Sequence, residues 1–296
     1  RDYYASRGLG DVYKRQSQPL HVGVGQNYNL RFEGGSEEFR WSASLGYKDI
    51  QGAMIGSGRK TFSGGVTLSY SYKNLTFRNQ TSIGSNKSEE SPYGSFSDYA
   101  RQQPYNAPWT DDGKLNRYFD GWDAWETQVQ NPLYDATLGN IDKSGYVEII
   151  NNFSVEWKMT PELTLRGKFG ISHTNNTSDM YKSPESSEFK DYTGDQVLRK
   201  GRYAYTTGKA NTYEGNVTLS YAKVFGEVHS LYAGLDASIA QNDSNSYGFT
   251  MEGFTNDRPF IGNALNYAEN DMPSASEYTT CLLYTSDAAD DRISVD

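Results

Sequence analysis

Apolar and polar residues alternate with a period of two in stretches of about ten residues, and the stretches come in pairs. Such alternation places successive side chains on opposite faces of a strand and is incompatible with a helix over the same residues. It is clearest over 147–158. There Val147, Ile149, Phe153, Val155 and Trp157 share one face, interrupted by Asn151, while Glu148, Asn152, Ser154, Glu156 and Lys158 share the other, with Ile150 as the exception. Over 163–172, Leu163, Leu165, Gly167, Phe169 and Ile171 oppose Thr164, Arg166, Lys168 and Ser172. Between the two, Met159-Thr160-Pro161-Glu162 reads as a short turn, with proline where no ladder donor is required.

The same paired unit recurs. Tyr213, Val217, Leu219 and Tyr221 alternate with Glu214, Asn216, Thr218 and Ser220, then a turn at 224–227 leads to Leu231, Ala233, Leu235, Ala237 and Ile239. Upstream, Val66, Leu68, Tyr70 and Tyr72 return through Lys73-Asn74 into Leu75, Phe77 and Ile83. The first pair is 26–32 and 39–48, joined through Gly34-Gly35, with Phe39, Trp41, Ala43, Leu45 and Tyr47 on its apolar face. The pattern predicts an all-β chain, an antiparallel up-and-down meander of about eight strands in four hairpins. The linkers between hairpins, near 49–65, 84–145 and 173–212, are far longer than the turns within them. A compact soluble domain rarely carries unstructured loops beyond about 15 residues. Short turns on one side and long loops on the other are the layout of an outer-membrane barrel, so the expectation is a partial transmembrane β-barrel with long extracellular loops. Phe32, Phe39, Trp41, Tyr72, Phe77, Trp157 and Tyr221 lie near the short turns, where an aromatic girdle would meet the membrane interface.

Composition agrees. Apolar residues are only 36% of the 296, yet there are 24 Tyr, 13 Phe and 5 Trp, which argues against disorder. A barrel with a polar lumen has this profile. No apolar run reaches the roughly 18 residues that a membrane-spanning helix needs, and residues 1–20 contain no signal-like apolar core. The net charge of −9 leaves no basic footprint for nucleic acid.

The two ends read differently. Ser6-Arg7-Gly8-Leu9-Gly10-Asp11-Val12-Tyr13-Lys14-Arg15-Gln16 resembles the direct translation of a transposase-type sequencing adapter. Cys281-Leu282-Leu283-Tyr284-Thr285-Ser286-Asp287-Ala288-Ala289-Asp290-Asp291 resembles the reverse complement of the same element. Residues 1–16 and 281–296 are therefore expected to be non-native tails without native packing, flanking a barrel portion at 17–280. Cys281, the one cysteine, falls in the second tail.

The segment 84–145 holds Ser97-Asp98-Tyr99-Ala100-Arg101, then Pro104-Tyr105, then Asp111-Asp112-Gly113, and closes on Asn131-Pro132-Leu133-Tyr134-Asp135-Ala136. This order, with the Asn151-Asn152-Phe153 strand, the strand from Leu163 to Ser172, Lys200-Gly201, Tyr221-Ala222-Lys223 and His229-Ser230-Leu231, resembles the SusC/RagA-type TonB-dependent transporters over nearly all of 17–280. The resemblance implies a barrel of about 22 strands with a luminal plug. It further implies the outer membrane of a Gram-negative bacterium, import of oligosaccharides, peptides or similar nutrients powered by the TonB complex, and a SusD-like lipoprotein lid. The chain carries neither plug nor energy-coupling box, so it is expected to be inactive alone, and not an enzyme. The alternative is a secreted β-sandwich, a carbohydrate-binding or adhesin module, which would show Greek-key connections and loops of similar length at both ends.

Candidate ligand contacts are Tyr93, Tyr99, Tyr105, Trp109, Trp122 and Trp125, with the carboxylates Asp98 and Asp111, since sugar faces stack on aromatic rings and sugar hydroxyls bond to carboxylates. A loop of this length also needs aromatics for its own packing. His21, His173 and His229 lie far apart, the calcium-loop ligand spacing is missing around Asp111-Asp112, and Tyr28 stands where a dinucleotide fingerprint needs its third glycine. No metal, cofactor or catalytic group is expected.

Overall fold

The computed structural model describes residues 15–292 apart from 104–105, 111, 120–128, 227–228 and 270. The strands are β1 (Gly25–Gly35), β2 (Phe39–Gln51), β3 (Gly58–Tyr72), β4 (Leu75–Glu89), β5 (Tyr118–Phe119), β6 (Val129–Gln130), β7 (Ile141–Lys158), β8 (Leu163–Lys182), β9 (Arg202–Phe225), β10 (His229–Phe254), β11 (Ala264–Tyr267) and β12 (Ser274–Arg292). Two short helices, α1 (Phe96–Ala100) and α2 (Pro132–Asp135), lie between β4 and β7. One sheet runs β1-β2-β3-β4-β7-β8-β9-β10, and both β11 and β12 pair with β10. Every pairing is antiparallel, and β5 with β6 forms a separate two-stranded ladder.

The eight expected long strands are all present, in the expected meander. Register decides how the sheet presents itself. Directly opposed residues in an antiparallel ladder share a face. One row runs Phe39–Tyr70–Phe77–Val155–Gly167–Val217–Ala237, and the next runs Leu75–Trp157–Leu165–Leu219–Leu235. The apolar sets of all eight strands fall on one face, with the seven aromatics of the expected girdle among them. No second sheet covers that face among the described residues. Val66, Phe153, Phe169, Val217, Leu235 and Ile239 are all exposed, with Leu235 at 55%. The closed dry core of a sandwich is therefore not formed.

The opposite face is polar and internally bonded. Asn216 Nδ2 donates to both oxygens of Asp236, at 2.9 and 3.0 Å, and Thr218 Oγ1 donates to the same carboxylate at 2.5 Å. Arg166 Nε meets Glu156 Oε2 at 2.8 Å. The polar break noted on the apolar face of β7 is also resolved. Asn151 Nδ2 donates to Asn79 Oδ1 at 3.1 Å and to Thr81 Oγ1 at 2.7 Å, and Asn79 Nδ2 returns a bond to Asn151 Oδ1 at 3.2 Å.

Two expectations need correction. The connections are shorter than the sequence indicated, namely 52–57, 90–140 and 183–201, because the strands continue through residues that are polar on both faces. The first of them is an ordinary short connection, so the loop asymmetry rests on the other two. The sheet also contains β11 and β12, beyond the expected eight. Each expected tail also makes contacts, at the periphery of the fold and not in a central strand. Arg15 is buried and its guanidinium lies 5.6 Å from the Phe119 ring centroid, and β12 pairs with β10 from Ser274 to Arg292. The open edge of β10 has a full row of donors and acceptors and can template any following chain, with no need for alternation.

The buried core sits at the loop end of the sheet, not in its middle. Tyr181, Tyr203 and Phe254 form it, with Tyr181 and Phe254 edge to face at 5.1 Å. Gly253 (φ +78°) lets the chain turn there. A Cβ at that position would stand 2.4 Å from the Leu198 carbonyl oxygen.

Candidate functional site

The long connection 90–140 folds over the loop end through local caps. Gly94 takes φ +71°, and Ser95 then caps α1, accepting from Ser97 N at 3.3 Å. This points Tyr99 inward, 2% exposed, with its ring 6.4 Å from that of Tyr93. Asn131 caps α2, with Pro132 in the first turn, where its missing N–H costs nothing. Asn131 is 1% exposed. Its Oδ1 accepts from Leu133 N at 3.2 Å, and its Nδ2 donates to the carbonyls of Pro108 and Asn116, at 3.0 and 2.6 Å.

Connection 183–201 is locked to the same layer. Asp135 accepts from Ser187 N at 3.0 Å and from the hydroxyls of Ser186 and Ser187. Gln130 Nε2 donates to Ser187 O at 2.6 Å, and Arg117 Nη1 meets Glu185 Oε2 at 2.8 Å. Further on, Arg199 pairs with Glu252 at 2.6 Å and with Glu269, and these partners hold its guanidinium above the ordinary arginine value.

Between these segments lies a cavity of about 890 Å³. Its wall carries Asp98, Asp135 and Glu188 beside Arg101, Lys182 and Lys190, with the side-chain amides of Gln102, Gln103, Asn106, Gln130 and Asn140 interspersed. Pro92, Tyr93, Val129 and Pro132 supply its apolar surface. Gln102 Oε1 is buried without a hydrogen-bond partner. Charges of both signs alternating with amides suit a ligand that offers donors and acceptors along its length.

Of the eight residues singled out in the sequence, Tyr93 and Asp98 line this cavity. Tyr99 does not; it packs the loop. Its hydroxyl is buried without a partner, and burial pushes the phenol well above the ordinary tyrosine value. Trp109 is 47% exposed and bridges to Leu115 instead. Tyr105, Asp111, Trp122 and Trp125 lie outside the described residues. Sequence reasoning missed Gln102, Asp135, Lys182 and Glu188. No local signal marks them, since they meet only when two connections about 50 residues apart fold together.

No group of three His, Cys, Asp or Glu side chains that could hold a metal occurs among the described residues. His173 is engaged locally, its Nδ1 2.6 Å from Asn211 Oδ1.

No protein-family model matches the sequence, and no curated protein does. Solved structures match the fold. The RagAB peptide transporter superposes with a TM-score of 0.70 at 18% identity, over 91% of this chain and 30% of that chain. The RagAB peptide importer in its open-open state gives 0.70 at 17% identity, over 92% and 30%. The chain has the fold of a segment of a SusC/RagA-type β-barrel. A more distant match, the unliganded ferric citrate transporter FecA, gives 0.57 at 8% identity, over 93% of this chain and 34% of that one. Each of these proteins is named for transport. The chain spans about 30% of the length of the RagAB chains it matches.

Proposed function

We propose that the chain is part of a TonB-energised nutrient importer of a Gram-negative outer membrane, that it imports nothing alone, and that it has no catalytic role. The observation that carries this reading is the sheet's two-faced character. An apolar face with an aromatic border is left uncovered, and a bonded polar face opposes it, as lipid outside and a watery lumen inside require. An oligosaccharide or peptide is the proposed cargo, with a SusD-like lipoprotein closing over the loop layer and the cavity at Tyr93, Asp98 and Gln102 as one contact. Trp109 is a further candidate contact, Tyr99 is a packing group of the layer, and Tyr105, Asp111, Trp122 and Trp125 are further candidate ligand contacts.

We further propose that residues 1–16 and 281–296 are adapter-derived. The sequence supports this: the two stretches match an adapter translation in opposite orientations, one at each end. Sequencing the locus with long reads tests both proposals at once. Expected are a plug-encoding region upstream, further hairpins downstream and a different sequence in place of both tails. A continuous genomic reading through 281–296 with no plug region would defeat them.

A further inference from the structure

The apolar face ends abruptly toward the long connections. Along β3 it runs Tyr72, Tyr70, Leu68, Val66, Gly64, Phe62 and then Lys60; along β7 it runs Trp157 to Val147, then Gly145 and Lys143. Ten residue steps at about 3.3 Å, on strands tilted about 40°, rise about 25 Å, the height of a barrel's lipid-facing band. Lys60 and Lys87 thus stand at the first level above that band, on the lipid side, with Lys143 one level higher. Lys60 and Lys87 are direct cross-strand partners. Like charges so placed repel each other and weaken the ladder. Asp49 lies 3.8 Å from Lys60, and Glu89 lies 3.1 Å from Lys143. Among the described residues no carboxylate pairs with Lys87, which sits between these two bridges. All three lysines line one groove of about 790 Å³, where Asp179 is the further acid and His21 the further base. Just below the groove, Phe62, Ile83 and Val147 are exposed.

We propose that this groove binds the phosphate of a phosphorylated lipid headgroup in the outer leaflet, Lys87 and Lys60 holding the phosphate oxygens while the acyl chains lie along Phe62, Ile83 and Val147. An ammonium is a suitable point-charge partner for phosphate, and an anion between Lys60 and Lys87 removes their repulsion. The groove sets three lysines against Asp49, Glu89 and Asp179, and Lys87, the lysine left without a carboxylate, stands where it continues into the apolar face; that continuation selects a lipid rather than a soluble anion. The inference rests on the membrane-spanning reading proposed above.

The test uses the whole chain refolded into phosphatidylcholine vesicles, with tryptophan quenching by brominated lipids as the readout. Quenching by brominated phosphatidylcholine reports insertion, and the excess quenching by brominated phosphatidic acid reports headgroup preference. The expected result is insertion together with a preference for phosphatidic acid. That preference should fall at least tenfold in Lys60→Gln/Lys87→Gln/Lys143→Gln, since each lysine near a charged surface contributes about fivefold. It should survive in the corresponding triple arginine variant, and in Lys48→Gln/Lys158→Gln/Lys168→Gln, which removes equal charge from the polar face. Insertion without preference, or a preference unchanged in the first variant, overturns the groove assignment alone. Abolition of the preference by inorganic phosphate at constant ionic strength assigns the groove to free phosphate and overturns the lipid reading. Failure of both brominated lipids to quench overturns the membrane-spanning reading, and the groove assignment with it.

Discussion

Asn131 and Tyr99 are both buried in the loop layer, but only Asn131 has its polar atoms satisfied. Asn131→Ala removes a helix cap and the side-chain donor to the carbonyls of Pro108 and Asn116. We expect a loss of about 2–3 kcal/mol in the opening free energy of 106–110 and 129–137, read by hydrogen exchange. Unchanged protection there would refute the capping role. Tyr99 should behave in the opposite way. Tyr99→Phe deletes a hydroxyl that bonds to nothing, so it should be neutral or stabilising, whereas Tyr99→Ala should cost about 3 kcal/mol. The phenol is raised by burial, so the folded loop holds its proton more tightly than the unfolded chain does. That contribution is fully present below the ordinary value of 10.0 and is lost as pH rises above it. Exchange of 95–103 should accelerate above pH 10 in the wild type but less so in Tyr99→Phe, once intrinsic rates are divided out. Tyr99 also shows why sites are less legible than folds. The sequence marked it as an aromatic near carboxylates, which describes both a sugar platform and a loop core. With no periodicity in 90–140, nothing local decides which way the ring turns.

At the scale of elements, alternation made the lower halves of the strands legible, because one face meets an apolar medium and the other a polar one. Their upper halves were not legible. Residues such as Thr174 and Asn176 on one face and Asn175 and Thr177 on the other are all polar, and their pairing is set by the strand beside them rather than by their own pattern. The same holds for β11 and β12, which the edge of β10 recruits. Gly253 gives a sharp test of how that end is built. Gly253→Ala places a methyl group against the Leu198 carbonyl at a left-handed φ, and should destabilise the β10 end by about 2 kcal/mol or more. Faster proteolysis within 195–201 and 250–268 is the expected readout, and equal cleavage rates would show that the turn relaxes freely. For β12, a chain ending at Thr280 should keep the circular dichroism of the full chain and its pairing from Ser244 to Gly248. A collapse of sheet content on that truncation would show that 281–292 is integral to the fold.

At the scale of the molecule, the decisive quantity is the surface left uncovered. A barrel removes its strand edges by closing. Here β1 presents one open edge, and the other lies along β10 and β12. Trp41, Tyr70, Phe153, Trp157, Phe169 and Leu235 are exposed on a single face, where the ladder register makes them neighbours. A contiguous apolar surface of this kind exceeds the few hundred Å² that soluble monomers tolerate. In water the chain should therefore aggregate, through face-to-face association of apolar surfaces and edge-to-edge strand pairing. Detergent should cover the first surface but not the second, so solubilised chain is expected to remain oligomeric at high concentration. Charged substitutions placed only on the face, such as Phe153→Lys with Phe169→Lys, should improve solubility in plain buffer while weakening recovery in detergent micelles. Size-exclusion chromatography with light scattering, run with and without detergent, separates these outcomes. A monodisperse monomer in plain buffer that unfolds cooperatively would mean that the apolar face is covered in solution, and the two-layer sandwich would then replace the open barrel segment as the account of this sheet.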